Sequence, residues 1–180
     1  MFPITEMYYG ISYVELTMNK KCILSIISKI LPVKVAYAHC DIPCGIYDPN
    51  RAQLAAHTAI RMTQLLGELI NDDKIKLGHD IARMTSVKEK HAEVIEEELG
   101  TLEDDYFKEE HFKEFSELKE LFSNSAKLTA KIRQNIDIEA AEELLENILK
   151  VSEIFYKTKK LQPVRLKSPY PTQREIVTYK

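Results

Sequence analysis

Glycine is scarce in this chain, five residues in 180, and cysteine is scarcer, at three. Few glycines, and no sustained alternation of apolar and polar residues, disfavour a β-fold with its many tight turns. An odd number of cysteines without an even framework argues against a domain stapled by disulfides. No apolar run approaches the ~20 residues that a membrane-spanning helix needs. No basic stripe is present either: the formal net charge is -3 with both signs interspersed, which argues against nucleic acid as a partner. What remains is a composition 44% hydrophobic and 29% charged. That suits one soluble globular domain with a real core and short extensions.

The first 38 residues read as a removable leader. After Met18, Lys20 and Lys21 precede an apolar run that ends in Ala36-Tyr37-Ala38. This small-x-small pattern is the kind that signal peptidases cut after, although Lys29 and Lys34 interrupt the run. A maturation peptidase cutting after Ala38 leaves His39 as the new N-terminus, whether Met1 or Met18 starts the chain. A cytoplasmic location is expected, with export as the alternative if the leader acts as a signal peptide.

The remainder reads as four helices. Asp48-Pro49 is a helix start, with Asp able to cap free N–H groups and Pro suited to the first helical position. Behind it Leu54, Thr58, Met62, Leu65, Leu66, Leu69 and Ile70 fall on one helical face, until Asn71-Asp72-Asp73 interrupts. A second helix runs from about Leu77 to Leu99, with Ile81, Met84, Val87, His91, Val94 and Ile95 inward and Gly100 as its stop. A third carries Phe112, Phe115, Leu118, Leu121, Phe122, Leu128 and Ile132. A fourth, from about Asp137, carries Ala141, Leu144, Leu145, Ile148, Val151 and Phe155. Short links between amphipathic helices favour an all-α, antiparallel up-down four-helix bundle. Three domains follow: residues 1–38 as leader, 39–160 as hook and bundle, and 161–180 as an extended tail broken off by Pro163.

The window that carries chemistry runs from His39 to Pro49, His-Cys-Asp-Ile-Pro-Cys-Gly-Ile-Tyr-Asp-Pro. His39, Cys40 and Cys44 are three soft or borderline donors within six residues, and Pro43 and Gly45 favour a turn that folds the sulfurs together. Thiolates and imidazole suit a late first-row metal, not magnesium or calcium. A freed His39 amine adds a donor. With the Cys40 amide nitrogen it closes a five-membered chelate ring, and that nitrogen closes another with the Cys40 thiolate. Cys44 then completes a planar set of two nitrogens and two sulfurs, with the His39 imidazole able to reach an axial position. Planarity favours nickel or copper, whereas zinc prefers a tetrahedron. By itself Cys-x3-Cys also fits zinc, a redox pair or two incidental thiols.

This window resembles the nickel-binding hook of the nickel superoxide dismutases, matching every fixed position of His-Cys-Asp-x-Pro-Cys-Gly-x-Tyr-Asp-Pro. Two further stretches are similar: Asp105-Tyr106-Phe107-Lys108 with His111-Phe112 and Glu117-Leu118, and Ile154-Phe155 with Lys157-Thr158-Lys159-Lys160. The resemblance covers about residues 39–160. It implies a hook-bearing four-helix bundle assembled as a homohexamer, with one nickel ion per subunit. The implied ligands are the His39 amine and imidazole, the Cys40 amide nitrogen and thiolate, and the Cys44 thiolate. Pro43 matches a proline that shapes the hook. Tyr47 matches a tyrosine that guards substrate approach, and Tyr106 a second one near it. The N–H groups of Asp41 and Cys44 and the Tyr47 hydroxyl are placed to hold a small anion. The implied reaction is the disproportionation of superoxide to oxygen and hydrogen peroxide by Ni(II)/Ni(III) cycling.

The chain departs from the family at the support of the imidazole, where Ala55 and His91 stand in place of a glutamate and an arginine. His91 is a candidate to orient His39, or an ordinary core histidine. A di-iron carboxylate bundle is disfavoured, because no histidine has Glu three residues before it. The alternative from another class is a non-catalytic protein that binds or delivers nickel or another soft metal, which needs neither Tyr47 nor a freed His39. A purely structural bundle is a third.

Overall fold

The computed structural model describes residues 44–180. The leader and His39, Cys40, Asp41 and Pro43 lie outside the described residues. Helix α1 is Asn50–Glu68 and α2 is Lys74–Thr101, which runs on into a π-helical turn at Leu102–Tyr106. A short α3, Glu109–Glu114, precedes α4, Leu118–Gln134, and α5, Ile138–Thr158. Strands β1, Pro163–Lys167, and β2, Glu175–Tyr179, follow. Helix α1 packs on α2 and α5, and α4 also packs on both, so the four long helices close a ring as in an up-down bundle.

Aspartates start three of these helices. Asp48 Oδ1 accepts from Asn50 N–H at 2.7 Å. Asp73 accepts from Ile75 and Lys76 N–H, and Asp137 from Ala140 N–H at 2.9 Å. Each satisfies donors that the first turn leaves unpaired. At the other end of α4 the buried Lys88 of α2 donates to the carbonyls of Ile132 and Asn135. Burial lowers its pKa, but the helix C-terminus supplies the acceptors it needs.

The buried faces of α1 and α2 differ from the expected ones. Helix α1 buries Ala52, Ala55, Ala56, Ala59 and Ile60, while Leu54 is largely exposed and Ile70, beyond its end, is 91% exposed. The short alanine side chains allow close helix packing, so the bundle takes that stripe rather than the larger residues beside it. Helix α2 buries Lys88, Ala92, Ile95 and Leu99, and leaves Ile81 and Val87 exposed. Gly100 does not stop α2. The helix passes through it and widens until Phe107 N–H donates to Leu102 O at 2.8 Å. The expected third helix is broken at Phe115–Glu117, and the bend lets the rings of Phe107, Phe112 and Phe122 meet tilted or edge to face, with centroids 5.8–6.4 Å apart. Helix α5 follows expectation, burying Ala141, Leu144, Leu145, Ile148, Val151 and Phe155.

Residues beyond 160 are more ordered than a tail. The strands pair antiparallel from Pro163↔Tyr179 to Lys167↔Glu175, and Val177 is buried against the bundle. Arg165 fastens the hairpin to α5, forking onto both oxygens of Glu146 at 2.8 and 2.9 Å and reaching Glu153 at 2.5 Å.

Candidate metal hook and its tyrosine wall

The described part of the hook is Cys44–Asp48. Gly45 has φ 71, the left-handed region that a residue without Cβ enters at least cost. That turn brings Ile46 N–H to 3.5 Å from Cys44 Sγ. Cys44 is exposed on a turn with an N–H donor at its sulfur, which is a suitable setting for a thiolate. Among the described residues no group of three or more His, Cys, Asp or Glu side chains could hold a metal ion. The other expected donors, His39 and Cys40, precede the described region, as do Asp41 and Pro43.

Tyr47 and Tyr106 are brought together, as the sequence reading expects of two tyrosines near one site. Their ring centroids lie 5.5 Å apart. The π-helical turn explains why Tyr106 is available. Closing the turn over five residues places Leu102 and Phe107 together in the core, both buried, and leaves Tyr106 half-buried at its edge. A continuous α-helix would put residues 102 and 106 on one face instead.

Tyr106 is held from several sides. Its hydroxyl lies 2.6 Å from Thr158 Oγ1, and Thr158 donates its own proton to Phe155 O at 2.7 Å. Tyr106 is therefore the donor to Thr158, and its remaining lone pair is what it offers to another group. Phe155 lies against its ring at 4.6 Å and His111 stacks at 5.9 Å. Lys159 Nζ stands 4.7 Å from the Tyr106 ring centroid, a cation–π contact. Lys108 Nζ donates to Asp105 O at 2.6 Å on the same turn. Of these two cations, Lys159 is the one set on the tyrosine wall, while Lys108 shares its turn with Glu103, Asp104 and Asp105. Thr158 and Lys159 are visible in sequence only as part of a similar stretch; the Thr158 pairing with Tyr106 spans 52 residues and carries no local signal.

Deeper in, Tyr156 has its hydroxyl pKa pushed up to about 12, chiefly by burial and also by the negative charge of Asp48. It is thus a neutral phenol at any physiological pH. His91 is half-buried on α2, and its Nδ1 donates to Val87 O of its own helix at 2.8 Å. Ala55 is buried in the α1 stripe and carries no polar group.

Comparison with known proteins agrees with this arrangement. A family model described as nickel-containing superoxide dismutase matches residues 34–159. The superoxide dismutase [Ni] of Streptomyces seoulensis is 35% identical over 128 residues, covering 71% of this chain and 92% of that protein. Its counterpart from Streptomyces coelicolor is 33% identical over 135 residues, covering 74% and 98%. The native nickel superoxide dismutase structure at 1.30 Å superposes with a TM-score of 0.60 at 33% identity, covering 68% of this chain and 99% of that one. A nickel-containing superoxide dismutase structure with ligation corresponding to the oxidised state gives 0.61 at 34% identity with the same coverage. The bundle, the hook sequence and the paired tyrosines lie within the matched region, and the chain belongs to the nickel-containing superoxide dismutase family.

Proposed function

We propose that this superoxide dismutase works at one nickel ion per subunit, held by His39, Cys40 and Cys44 after removal of residues 1–38. The observation that carries the reading is the Cys44–Tyr47 turn set against Tyr106. A thiolate with an N–H donor at its sulfur is the soft ligand that nickel takes. Bound nickel supplies the one-electron couple that superoxide disproportionation requires. The chain supplies the rest. Lys159 draws in the anion, and the Tyr47 and Tyr106 rings narrow the approach to the hook. Tyr106 is kept in place by Thr158. The Tyr47 hydroxyl, with the backbone N–H groups of Asp41 and Cys44, is the set that the family resemblance implies for holding the anion.

The assembly we infer is a homohexamer. Leu54, Ile81 and Val87 are exposed along the α1–α2 side, and Ile75 is 87% exposed near the start of α2. Between them a trough of about 230 Å³ is lined by Met62, Leu65, Met84 and Val87, with Asp80 and Arg83. Apolar surface of this kind supports contact with further copies of the chain. No helix among the described residues is long and apolar enough to cross a membrane.

Three measurements test this reading. Intact mass of the purified protein reports whether the chain begins at His39. Dismutation by protein trimmed to His39 and loaded with nickel is expected to be fast, and by the untrimmed chain slow. Equal rates would remove the role assigned to the His39 amine. Native mass spectrometry is expected to show six copies, and a monomer would contradict the assembly.

A further inference from the structure

The C-terminal hairpin lies outside the family match. The family match ends at residue 159 and β1 begins at Pro163. The hairpin is nonetheless tied to the helix that carries the hook. Gln53, in the first turn of α1, is fully buried and closes its whole amide on one residue of β2. Val177 N–H donates to its Oε1 at 2.7 Å, and its Nε2 donates to Val177 O at 3.1 Å. One turn on, His57 Nε2 is 3.1 Å from Glu175 O and its Nδ1 is 2.7 Å from Thr172 Oγ1. A carbonyl only accepts, so Nε2 carries the proton and Nδ1 accepts from the Thr172 hydroxyl.

A second route joins the hairpin to the hook through rings. Tyr179 of β2 lies 5.0 Å from Tyr156, Tyr156 5.4 Å from Phe155, Phe155 4.6 Å from Tyr106, and Tyr106 5.5 Å from Tyr47. On the other strand, Arg165 anchors the hairpin to α5 through Glu146 and Glu153. The hairpin therefore bridges the most buried helix of the bundle and the first two turns of the hook helix.

Those turns need holding. Asp48 caps only the Asn50 N–H, Pro49 makes no side-chain capping bond, and the first turn of α1 itself has no acidic residue to complement the helix dipole. Helix ends open more readily than helix centres. Opening of this one would loosen the Cys44–Asp48 turn that leads into it.

We propose that the hairpin is a strap that fixes the base of the nickel hook, with Gln53 as its positioning residue. This rests on the nickel reading of the hook. The test uses nickel-loaded enzyme as purified, beginning at His39, and compares wild type with Gln53→Ala. The readouts are the rate of nickel release to a chelator, the electron paramagnetic resonance spectrum of the oxidised metal, and helix content by circular dichroism. Gln53→Ala is expected to keep its helix content, release nickel about tenfold faster and show altered nitrogen hyperfine splitting. Arg174→Ala, which breaks a hairpin contact to Glu142 that does not touch α1, is expected to leave both nickel readouts unchanged. If Gln53→Ala does not fold, Thr172→Val carries the test: it loses one strap bond at nearly constant volume and should shift release in the same direction by less. Unchanged release and an unchanged spectrum in a folded variant would overturn the strap and leave the nickel reading standing. Wild-type enzyme without nickel would overturn the nickel reading first.

Discussion

The middle of α5 and the turn at Cys44–Asp48 stand at opposite extremes of the same molecule. Leu144, Ile148 and Val151 are enclosed by neighbours on all sides, and their contribution is burial. Cys44, Gly45 and Ile46 are exposed, belong to no helix and contribute almost nothing to the core. The difference separates two kinds of importance. Changes in α5 should cost stability while leaving the chemistry of each folded molecule intact. Changes in the hook should do the reverse. Tyr106 is where the two regions meet, since one flank of it packs on Phe155 of α5 and the other on Tyr47 of the hook.

The separation is broken or sharpened by a graded set of variants. The largest effect is expected from Cys44→Ser. Losing a thiolate ligand should abolish bound nickel and lower dismutation by at least about a thousandfold, while circular dichroism and the thermal midpoint of the apo-protein stay as in wild type. Leu144→Ala is the converse. It should cost about 2–5 kcal/mol of unfolding free energy in a denaturant titration, with activity per bound nickel unchanged. If Leu144→Ala lowered activity per nickel as strongly as it lowered stability, the two regions would not be separable.

Smaller effects probe the boundary between them. Lys159→Gln should reduce kcat/KM several-fold at low ionic strength and flatten its dependence on salt, because a steering charge acts over a screened distance. Stopped-flow rates across a salt series check this. Thr158→Val removes the acceptor of the Tyr106 hydroxyl. A cost of about 1 kcal/mol in stability is expected, with a modest change in activity.

The smallest effect concerns pH. Burial holds the His57 pKa below its usual value of 6.5. The unfolded chain therefore takes up a proton that the folded chain resists, and stability falls as pH drops from about 6.5 toward the lowered folded value. His57→Gln should remove part of that slope. An identical pH profile of the thermal midpoint in wild type and variant would show that this histidine does not titrate with folding.

The parts of this structure that sequence made legible are those written in contiguous residues. The hook is eleven consecutive positions, and the starts at Asp48 and Asp137 are local chemistry. Helix α5 was read correctly because its large apolar residues are also its buried ones. In helix α1 the expected Leu66 is buried, but most of the buried stripe is alanine with a few polar residues, which a search for large apolar side chains passes over. The π-helical turn escaped because its five-residue closure breaks the 3.6-residue period on which such reading depends. The strap and the Thr158 anchor of Tyr106 leave no such trace, for a different reason. Gln53 meets Val177 across 124 residues and Tyr106 meets Thr158 across 52, and neither pairing leaves a mark on its own neighbourhood.

The division between a stabilising bundle and a reactive hook is tested most directly by measuring nickel content and superoxide dismutation on the same preparations of wild type and Cys44→Ser. The expected result is about one nickel per wild-type chain, with activity rising in proportion to nickel, and neither metal nor activity in a Cys44→Ser protein that is fully folded. Dismutation by folded Cys44→Ser, or by wild type stripped of nickel, would contradict it.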